Sequence, residues 1–426
     1  MPDIRLLTVS PPVEHGVKPL KPTRKTKEWN IKASTATHSK NPLRALLAEM
    51  GSTTPQTTKP IINLGLGDPT TLHAPPPASV TASVRAITEG KDNGYVPGAG
   101  TVAARQAIAD YHHQWDGVRY TAKDVVLTHG VGHALDVIFN VLIPVRPGRS
   151  NVLLPKPGFA QYALLLNSLG AEVRYYELQE EKNWEVDLDH LEGLIDDDTK
   201  AILLTNPSNP CGSNFARQHL TDILDVADRN KVPIIADEIY GHMTWDEPFV
   251  PLAAVSTSVP VITLSGLSKR FLLPGWRVGW IALHDPAGVA AEIREGMFAW
   301  ANRIFGPSSI VQAALPDILT TPVEWYRSVM SLVKVNAEIM EAGIPTIRGL
   351  SCSKPQGSLY MLVKLDPSIH GTNDMAFCRE LYAAQGVFLM PGTCFDAPGY
   401  VRVVIASPAD IMRDVVERLR EFCAAR

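Results

Sequence analysis

The sequence predicts an α/β protein in which a large domain, built on a mainly parallel mixed sheet sandwiched by helices, is joined to a smaller α+β domain. Apolar, strand-like runs alternate with helix-like segments from Asn151 to Asp237. Two further apolar runs, 261–264 and 278–283, indicate two more buried strands. From about residue 345 onward, strand and helix patterns form a second and smaller set.

Four regions are expected along the chain. Residues 1–28 hold five prolines and a basic cluster, which is typical of a disordered N-terminal arm. A transit peptide is the alternative, but the prolines and the acidic residues among them count against it. We expect residues 29–70 to contribute to the small domain, 71–322 to form the large domain and 323–426 to form the C-terminal small domain.

Composition narrows the classes of function. The 426 residues are 45% hydrophobic and 20% charged, which is ordinary for a globular protein. A net charge of −4 argues against a nucleic-acid-binding surface. No apolar run approaches the roughly 20 residues that cross a membrane. Five cysteines without a CxxC pair indicate free thiols in a reducing compartment, so a cytoplasmic protein is expected more than a mitochondrial one.

The first elements of the chain are short. Asn41 is placed to cap a helix over 42–50. Residues 61–64 form a strand-like run that ends in a turn containing Leu66 and Gly67. A glycine there would let the backbone approach a ligand closely, and an ordinary turn is the alternative.

Two glycine-rich segments follow. The first, 93–100, has Tyr95 as its only aromatic residue and precedes a helix over 101–115. An exposed loop tyrosine is the alternative to a functional one. The second contains Gly130, Val131 and Gly132, between a strand over 121–127 and a helix that runs through Val141. We predict an anion site there, because the free N–H groups and the positive dipole end of that helix would face a ligand.

From Asn151 to Asp237 the alternation implies right-handed crossovers and a largely parallel sheet. The predicted strands are 151–155, 172–177, 201–205 and 232–236, and the predicted helices lie near 161–169, 188–195 and 218–229. Ligands gather at the carboxyl ends of such strands, where Phe159, Asn209 and Asp237 are found. The alternatives are core packing for Phe159, and a helix cap or a buried ion pair for Asp237, whose carboxylate is costly to bury unpaired.

The stretch TLSGLSKRFLLPGWRVGW is the most specific in the chain. A buried strand delivers Ser268 and Lys269 into a turn of small residues, and Arg277 follows before the next strand. Desolvation at the end of a buried strand disfavours the ammonium form of a lysine, which makes Lys269 nucleophilic near neutral pH. A surface turn with two solvated cations is the alternative.

The C-terminal part is predicted to hold one arginine inside an apolar strand, Arg402. An arginine that points inward from a strand requires an anion, and its planar fork suits a carboxylate. An edge-strand arginine facing water is the alternative. After the second apolar run we expect a helical region over 287–305, a turn over 306–309 and then more helix. Further helices are expected near 323–342, 374–385 and 409–423, and strands near 358–363 and 400–405.

These segments resemble those of fold-type I pyridoxal phosphate enzymes, and TNPSNPCGSNF and GVFLMPGTCFDAPGYVRVV are most similar to the tyrosine aminotransferase family. The resemblance covers roughly residues 29–424. It implies a fold-type I transferase, a pyridoxal 5'-phosphate cofactor and a transaminase activity. It also implies a homodimer, in which Tyr95 reaches the cofactor phosphate of the neighbouring subunit.

The resemblance assigns a role to each candidate residue. Lys269, Asp237 and Tyr240 would be catalytic, with Lys269 bound covalently to the cofactor and Asp237 holding its pyridine nitrogen. The remaining cofactor residues would be Gly130, Val131, Gly132, Phe159, Asn209, Ser268, Arg277 and Tyr95, with Tyr240 and Asn209 at the ring oxygen, Phe159 stacked on the ring and Arg277 at the phosphate. The substrate residues would be Arg402 at the α-carboxylate, Leu66 and Gly67 beside it, Asn209, and Asn41 near the mouth of the site.

Two positions depart from the pattern of related enzymes. Gly132 stands where the family usually has a hydroxyl or another side-chain donor, so the phosphate would depend more on backbone amides. Gly266 stands where many members carry a serine that touches the phosphate, although tyrosine aminotransferases share this glycine.

The implied reaction moves the amino group of an aromatic L-amino acid to a 2-oxo acid such as 2-oxoglutarate or pyruvate, in a ping-pong cycle. Tyrosine is the expected donor, with phenylalanine, tryptophan and methionine as further candidates. No metal, nucleic-acid or membrane partner is expected. The alternatives are a carbon–sulfur lyase or another transaminase on the same fold and, outside the enzymes, a ligand-sensing module.

Overall fold

The computed structural model describes residues 41–53, 55–88, 90, 92–144 and 150–426. These residues all fall within one compact unit, His38–Arg426. The predicted N-terminal arm, 1–28, lies outside the described residues. The proposed boundary between a large and a small domain after residue 322 stays a prediction.

The strands form two main sheets and one isolated pair. In chain order the strands are β1 Ile62–Asn63, β2 Val125–Thr128, β3 Asn151–Lys156, β4 Glu172–Gln179, β5 Glu185–Val186, β6 Thr199–Thr205, β7 Ile234–Asp237, β8 Val261–Gly266, β9 Gly279–His284, β10 Leu350–Cys352, β11 Tyr360–Leu365, β12 Val387–Phe388, β13 Met390–Pro391 and β14 Tyr400–Val404.

The large sheet has the order β2-β9-β8-β7-β6-β3-β4-β5. Its central pairs, from β4 through β3, β6 and β7 to β8, are parallel. Strands β9, β2 and β5 are antiparallel to their neighbours. The prediction of a mainly parallel mixed sheet is therefore confirmed.

Helices cover both faces of this sheet. In chain order the helices are α1 Pro42–Ser52, α2 Ala78–Thr88, α3 Val102–Asp116, α4 Val131–Leu142, α5 Gln161–Ser168, α6 Leu188–Gly193, α7 Arg217–Asn230, α8 Ala291–Ala301, α9 Ser309–Leu319, α10 Val323–Gly343, α11 Pro367–His370, α12 Asp374–Gln385 and α13 Ala409–Ala424. None of the described helices is long and apolar enough to cross a membrane.

The alternation of side chains along each strand divides the core into two layers. On β6, Ile202 and Leu204 pack with α3, α7 and α9, whereas Ala201 and Leu203 pack with α4, α5 and α8. The central strands are apolar on both sides for this reason, which is typical of parallel sheets between helices.

The smaller sheet is antiparallel, with the order β10-β11-β14-β13. Helices α10, α12 and α13 share its hydrophobic core. Strand β1 pairs in parallel with β12, so the N-terminal segment is joined to the C-terminal part. The predicted α+β unit is present with the expected order of its long elements.

Capping residues fix several helix ends. Asn41 caps α1 as predicted, since its side-chain oxygen accepts a hydrogen bond of 3.2 Å from the backbone N–H of Arg44. Thr101 caps α3 in the same way, and Gly117 ends that helix with a φ of 70°.

The sequence analysis missed α2, the short helix α11 and the short strands β5, β10, β12 and β13. A strand of two or three residues is too short to show an alternating pattern, and it forms only because a partner far along the chain pairs with it. Helix α2 follows three prolines, 75–77, which are typical of a loop.

Candidate active site

A cavity of about 600 Å³ opens at the carboxyl ends of the parallel strands. Of the predicted site residues, Tyr95 and Gly130 do not line it. Those that line it are Asn41, Leu66, Gly67, Val131, Gly132, Phe159, Asn209, Asp237, Tyr240, Ser268, Lys269, Arg277 and Arg402. The fold thus brings together segments that lie as far apart as residues 41 and 402.

Lys269 projects into this cavity from the turn that follows β8. The turn is fixed by the buried side chains of Leu267 and Phe271 on either side of the lysine. The Nζ atom donates a hydrogen bond to the carbonyl oxygen of Gly67 and lies 6.0 Å from the centre of the Tyr240 ring. Lys269 is half-buried at this cavity, whereas Arg277, the second cation of the turn, is exposed.

Asp237 ends β7 as a buried carboxylate that is only 3% exposed. The hydroxyl of Tyr162 donates to its Oδ2 at 2.7 Å, and the backbone N–H of Ile239 donates to its Oδ1 at 3.3 Å. Within the described part of the chain it forms no ion pair and caps no helix. Burial therefore raises the pKa of Asp237 to about 6, against the opposing effect of the Tyr162 hydrogen bond.

Two tyrosine hydroxyls meet at the floor of the cavity. The hydroxyls of Tyr240 and Tyr360 lie 2.8 Å apart. Burial raises the pKa of Tyr240 well above its usual value. Burial alone would also raise the pKa of Tyr360, but the charges of Lys269 and Arg402 together lower it.

Arg402 lies on β14, between β11 and β13, and is 2% exposed. One terminal nitrogen donates to the side-chain oxygen of Asn209 at 2.8 Å and the other to the carbonyl oxygen of Gly65 at 2.7 Å. Its Nε atom has no hydrogen-bond partner, and no carboxylate of the described residues pairs with it. The prediction of an inward-pointing arginine is confirmed, and its unpaired charge suits an incoming carboxylate.

Aromatic faces hold the Arg402 guanidinium in place. Its central carbon lies 4.3 Å from the ring centre of Tyr360 and 4.4 Å from that of Phe395. The two rings cover the guanidinium, and its Nε atom is buried without a hydrogen-bond partner. The cavity therefore has a positively charged group at this wall.

The predicted anion site lies at the beginning of α4. Gly130 is the N-cap residue, with a φ of 77° and no side chain to bind the first N–H groups of the helix. The backbone N–H groups of Val131 and Gly132 have no intrahelical partner, as at any helix start. A Cβ on Gly130 would lie 2.5 Å from a terminal nitrogen of Arg277, so glycine lets this cation approach the helix.

Arg277 is positioned by its own backbone. It ends the 3₁₀ turn Pro274–Trp276 with a left-handed φ of 53°. Its guanidinium donates to the carbonyl oxygens of Pro274 at 2.9 Å and His129 at 3.2 Å. These bonds aim the positive charge at the helix start, where a phosphate would be neutralised.

The remaining predicted residues border the cavity in different ways. Phe159 stands edge-on to Tyr162, with ring centres 5.6 Å apart. Leu66 is 41% exposed at the mouth. Tyr95 is 97% exposed and contacts the ring of Phe305, with ring centres 5.7 Å apart. Tyr95 therefore has no contact with this cavity within its own chain.

Among the cavity residues that the sequence analysis did not single out are Gln161, Tyr162 and Tyr360. Tyr162 follows Phe159 by one helical turn, so its position beyond the end of β3 was the available signal. Tyr360 had no local signal, because its placement depends on the pairing of β11 with β14. No group of three His, Cys, Asp or Glu side chains in the described ranges could hold a metal ion.

Comparison with known proteins agrees with this geometry. A family model described as aminotransferase class I and II matches residues 59–419. A tyrosine aminotransferase of Mus musculus is 42% identical over 405 residues, which cover 93% of this chain and 88% of the relative. A tyrosine aminotransferase structure from Leishmania infantum superposes with a TM-score of 0.88 at 32% identity, covering 94% of this chain and 100% of that one.

An alanine aminotransferase structure from Pyrococcus furiosus has a TM-score of 0.85 at 29% identity, covering 93% of this chain and all of its own. The predicted resemblance to tyrosine aminotransferases and the predicted fold are thus confirmed over nearly the whole described chain. The chain belongs to the family of class I and II aminotransferases.

Proposed function

We propose that the protein is a pyridoxal phosphate-dependent aminotransferase that moves the amino group of an aromatic L-amino acid, tyrosine foremost, to a 2-oxo acid. One observation carries this proposal. Three groups line a single cavity: the amine of Lys269, the buried carboxylate of Asp237 and the buried guanidinium of Arg402. Among the residues that the structure describes, Asp237 forms no ion pair with a cation and Arg402 none with an anion. Each lacks the partner that an aminotransferase cofactor and its substrate would supply.

The residues of the cavity fit the cofactor. The amides at the start of α4 and the guanidinium of Arg277 would hold its phosphate. Phe159 would pack on the ring, Tyr240 and Asn209 would bind the ring oxygen, and Asp237 would hold the pyridine nitrogen. When bound, the cofactor supplies an electron sink that stabilises negative charge on the substrate Cα.

The chain's own groups would position the substrate. The guanidinium of Arg402 would bind the α-carboxylate, and the backbone at Leu66 and Gly67 would lie beside it. Asn209 already fixes the orientation of the Arg402 fork. Because the carboxylate is anchored, the Cα proton is held at a constant position. This fixed orientation lowers the entropic cost of the proton transfer.

Lys269 would then move the proton. Its Nζ is held by the Gly67 carbonyl oxygen and faces the Tyr240 ring, so the neutral amine can accept a proton from Cα and return it elsewhere. Asp237 would keep the ring nitrogen protonated while this happens, because a buried carboxylate gains most from a cation beside it.

The choice of an aromatic donor is supported by the cavity wall and by the relatives. The apolar side chains of Leu43, Leu47 and Met390 line the same cavity. The relatives with 36–42% identity include tyrosine aminotransferases of Mus musculus and Dictyostelium discoideum. An apolar wall favours a phenyl or phenol ring over a charged side chain.

A homodimer is part of the proposal. Tyr95, Ile304 and Phe305 are exposed by 97%, 53% and 60% and form an aromatic and aliphatic patch that a second copy would cover. Tyr95 would reach the phosphate of the partner's cofactor. A cytoplasmic location is supported by the five cysteines, which are all free and mostly buried.

A panel of amino donors against 2-oxoglutarate, pyruvate and aromatic oxo acids tests the reaction. We expect tyrosine and phenylalanine to be converted only when an oxo acid is present. Release of pyruvate or ammonia without an acceptor would instead indicate a lyase. Binding of amino acids without turnover would indicate a sensing module.

A further inference from the structure

We propose that Gln161 is an additional phosphate-binding residue of this cofactor site, and that its side-chain amide donates a hydrogen bond to the anion held at the start of α4. This inference rests on the proposed function. The feature that carries it is the position of the Gln161 side chain, which fills the space beside Gly132.

The position of Gln161 is set by the packing of α4 against α5. Gln161 is the first residue of α5, and the next residue, Tyr162, donates its hydroxyl to Asp237. A Cβ on Gly132 would lie 2.9 Å from the amide nitrogen of Gln161 but 3.8 Å from its amide oxygen. The donor end of the amide therefore points towards the helix start, and the same side chain lines the cavity.

Gln161 also has hydrogen-bonding capacity to spare. Its side chain makes no hydrogen bond with any residue in the described ranges, so both N–H donors of the amide are available. Arg277, by contrast, already donates to two backbone carbonyls. The side-chain amide of Gln161, beside the backbone N–H groups of α4, would give the phosphate a further donor without a second full positive charge.

Gly132 and Gly266 stand where many related enzymes carry a side-chain donor, so neither position supplies one here. A Cβ on Gly266 would lie 2.6 Å from the carbonyl oxygen of Val278, so no side chain fits there. At Gly132 the space for a side chain is taken by Gln161 itself. Gln161 thus fills the volume that a side chain at position 132 would occupy, and it places a hydrogen-bond donor there.

The dissociation constants of the apoprotein for pyridoxal phosphate and for pyridoxal, which lacks the phosphate, test the proposal. Gln161→Leu keeps the size of the side chain and removes the donor. We expect its affinity for pyridoxal phosphate to fall by roughly ten- to a hundredfold, as for the loss of a hydrogen bond to a charged group. Its affinity for pyridoxal should match that of the wild type, as should both affinities of the control Asn167→Leu, an exposed position on the same helix.

A double variant distinguishes the loss of the hydrogen-bond donor from a structural effect of the substitution at position 161. Gln161→Ala opens space beside residue 132, so adding Gly132→Ser should restore the affinity for pyridoxal phosphate lost in Gln161→Ala alone. Inorganic phosphate should compete with pyridoxal phosphate less strongly in Gln161→Leu than in the wild type.

Three outcomes would overturn the proposal: unchanged affinity for pyridoxal phosphate in Gln161→Leu, an equal loss for pyridoxal, or no rescue by the serine. A wild-type protein that binds no pyridoxal phosphate would instead refute the proposed function.

Discussion

At Asp237, burial has two opposite consequences for the apoprotein and the loaded enzyme. Without a cation, the carboxylate costs free energy, which is why burial raises its pKa to about 6. Under the proposed function a protonated ring nitrogen would lie beside it, and the same burial would strengthen the attraction between the two charges. The unfavourable burial would then be confined to the apoprotein.

The stability of the apoprotein should reveal this cost. Because the pKa is raised on folding, the folded state binds more protons than the unfolded state between about pH 4 and 6. The free energy of unfolding should therefore fall as the pH rises through this window, by up to about 3 kcal/mol from this group. Asp237→Asn should lack that fall and be the more stable protein at pH 7, as measured by urea denaturation across pH. Parallel pH profiles for the two proteins would contradict the prediction.

Asp237→Asn should have the opposite effect on catalysis. The variant should keep much of its cofactor but lose about two orders of magnitude or more in kcat, the scale of a lost electrostatic contribution. Cofactor absorbance and single-turnover rates measure the two quantities separately. A rate equal to that of the wild type would mean that Asp237 serves the fold alone.

Lys269→Ala should abolish transamination without unfolding the protein. The lysine donates its hydrogen bond to the carbonyl oxygen of Gly67 at the edge of the cavity. When the lysine is removed, water can reach this oxygen and replace the hydrogen bond. Far-ultraviolet circular dichroism checks the fold, and steady-state turnover checks the activity. Lys231→Ala, at an exposed helix end, is the control and should be fully active. Turnover near the wild-type rate in Lys269→Ala would refute the mechanism.

At the scale of elements, the strand pair β8–β9 sets the position of the whole lysine turn. Gly266 pairs with Gly279 at its end, and a Cβ at either residue would meet backbone within 3.0 Å. The two strands and the start of α4 are therefore closer together than side chains would permit. This close approach brings Lys269, Arg277 and the helix amides into one site.

Gly266→Ala should destabilise the protein by about 1–3 kcal/mol, because rigid backbone cannot move aside for the added methyl group. Gly275→Ala is the matched control in the same stretch. A Cβ there would meet nothing within 4 Å, so we expect a change within about 0.5 kcal/mol. Chemical denaturation of both apoproteins measures the difference. Equal stability of the two variants would show that the strand pair can widen.

Much of this element-scale arrangement could be predicted from the sequence, for physical reasons. Long apolar strands such as β6 are predicted from a local apolar run, and the start of α1 is predicted from its capping residue, Asn41. Arg402 was predicted because a charge inside an apolar run needs an anion. Tyr360 was not, since only the pairing of two distant strands brings its hydroxyl to Tyr240. The contact of Gln161 with Gly132 likewise depends on helix packing, which leaves no local pattern.

At the scale of the whole molecule, the exposed patch around Tyr95 suggests that one chain does not complete its own site. Tyr95 and Phe305 contact each other on the surface instead of turning inward. A closed two-fold dimer would make the exchange reciprocal, with each Tyr95 serving the partner's phosphate.

Mixing Tyr95→Phe chains with Lys269→Ala chains tests this exchange. If Tyr95 acts across the interface, each mixed dimer has one site with both lesions and one with neither, and the latter should bind pyridoxal phosphate like the wild type. Unmixed dimers of each variant, measured under the same conditions, are the controls. If every site that retains Lys269 shows the Tyr95→Phe affinity, the tyrosine acts within its own chain. If the protein is monomeric and fully active at the assay concentration, the proposed homodimer is excluded as well.

The hydrogen bond from Arg402 to the Gly65 carbonyl joins residues 337 positions apart. During translation, the segment around Lys269 leaves the ribosome well before β14 is synthesised. The segments proposed to hold the cofactor are therefore synthesised before the arginine proposed to bind the carboxylate. Under the proposed function, a chain that ends before β14 could not anchor an amino acid, whether or not it binds the cofactor.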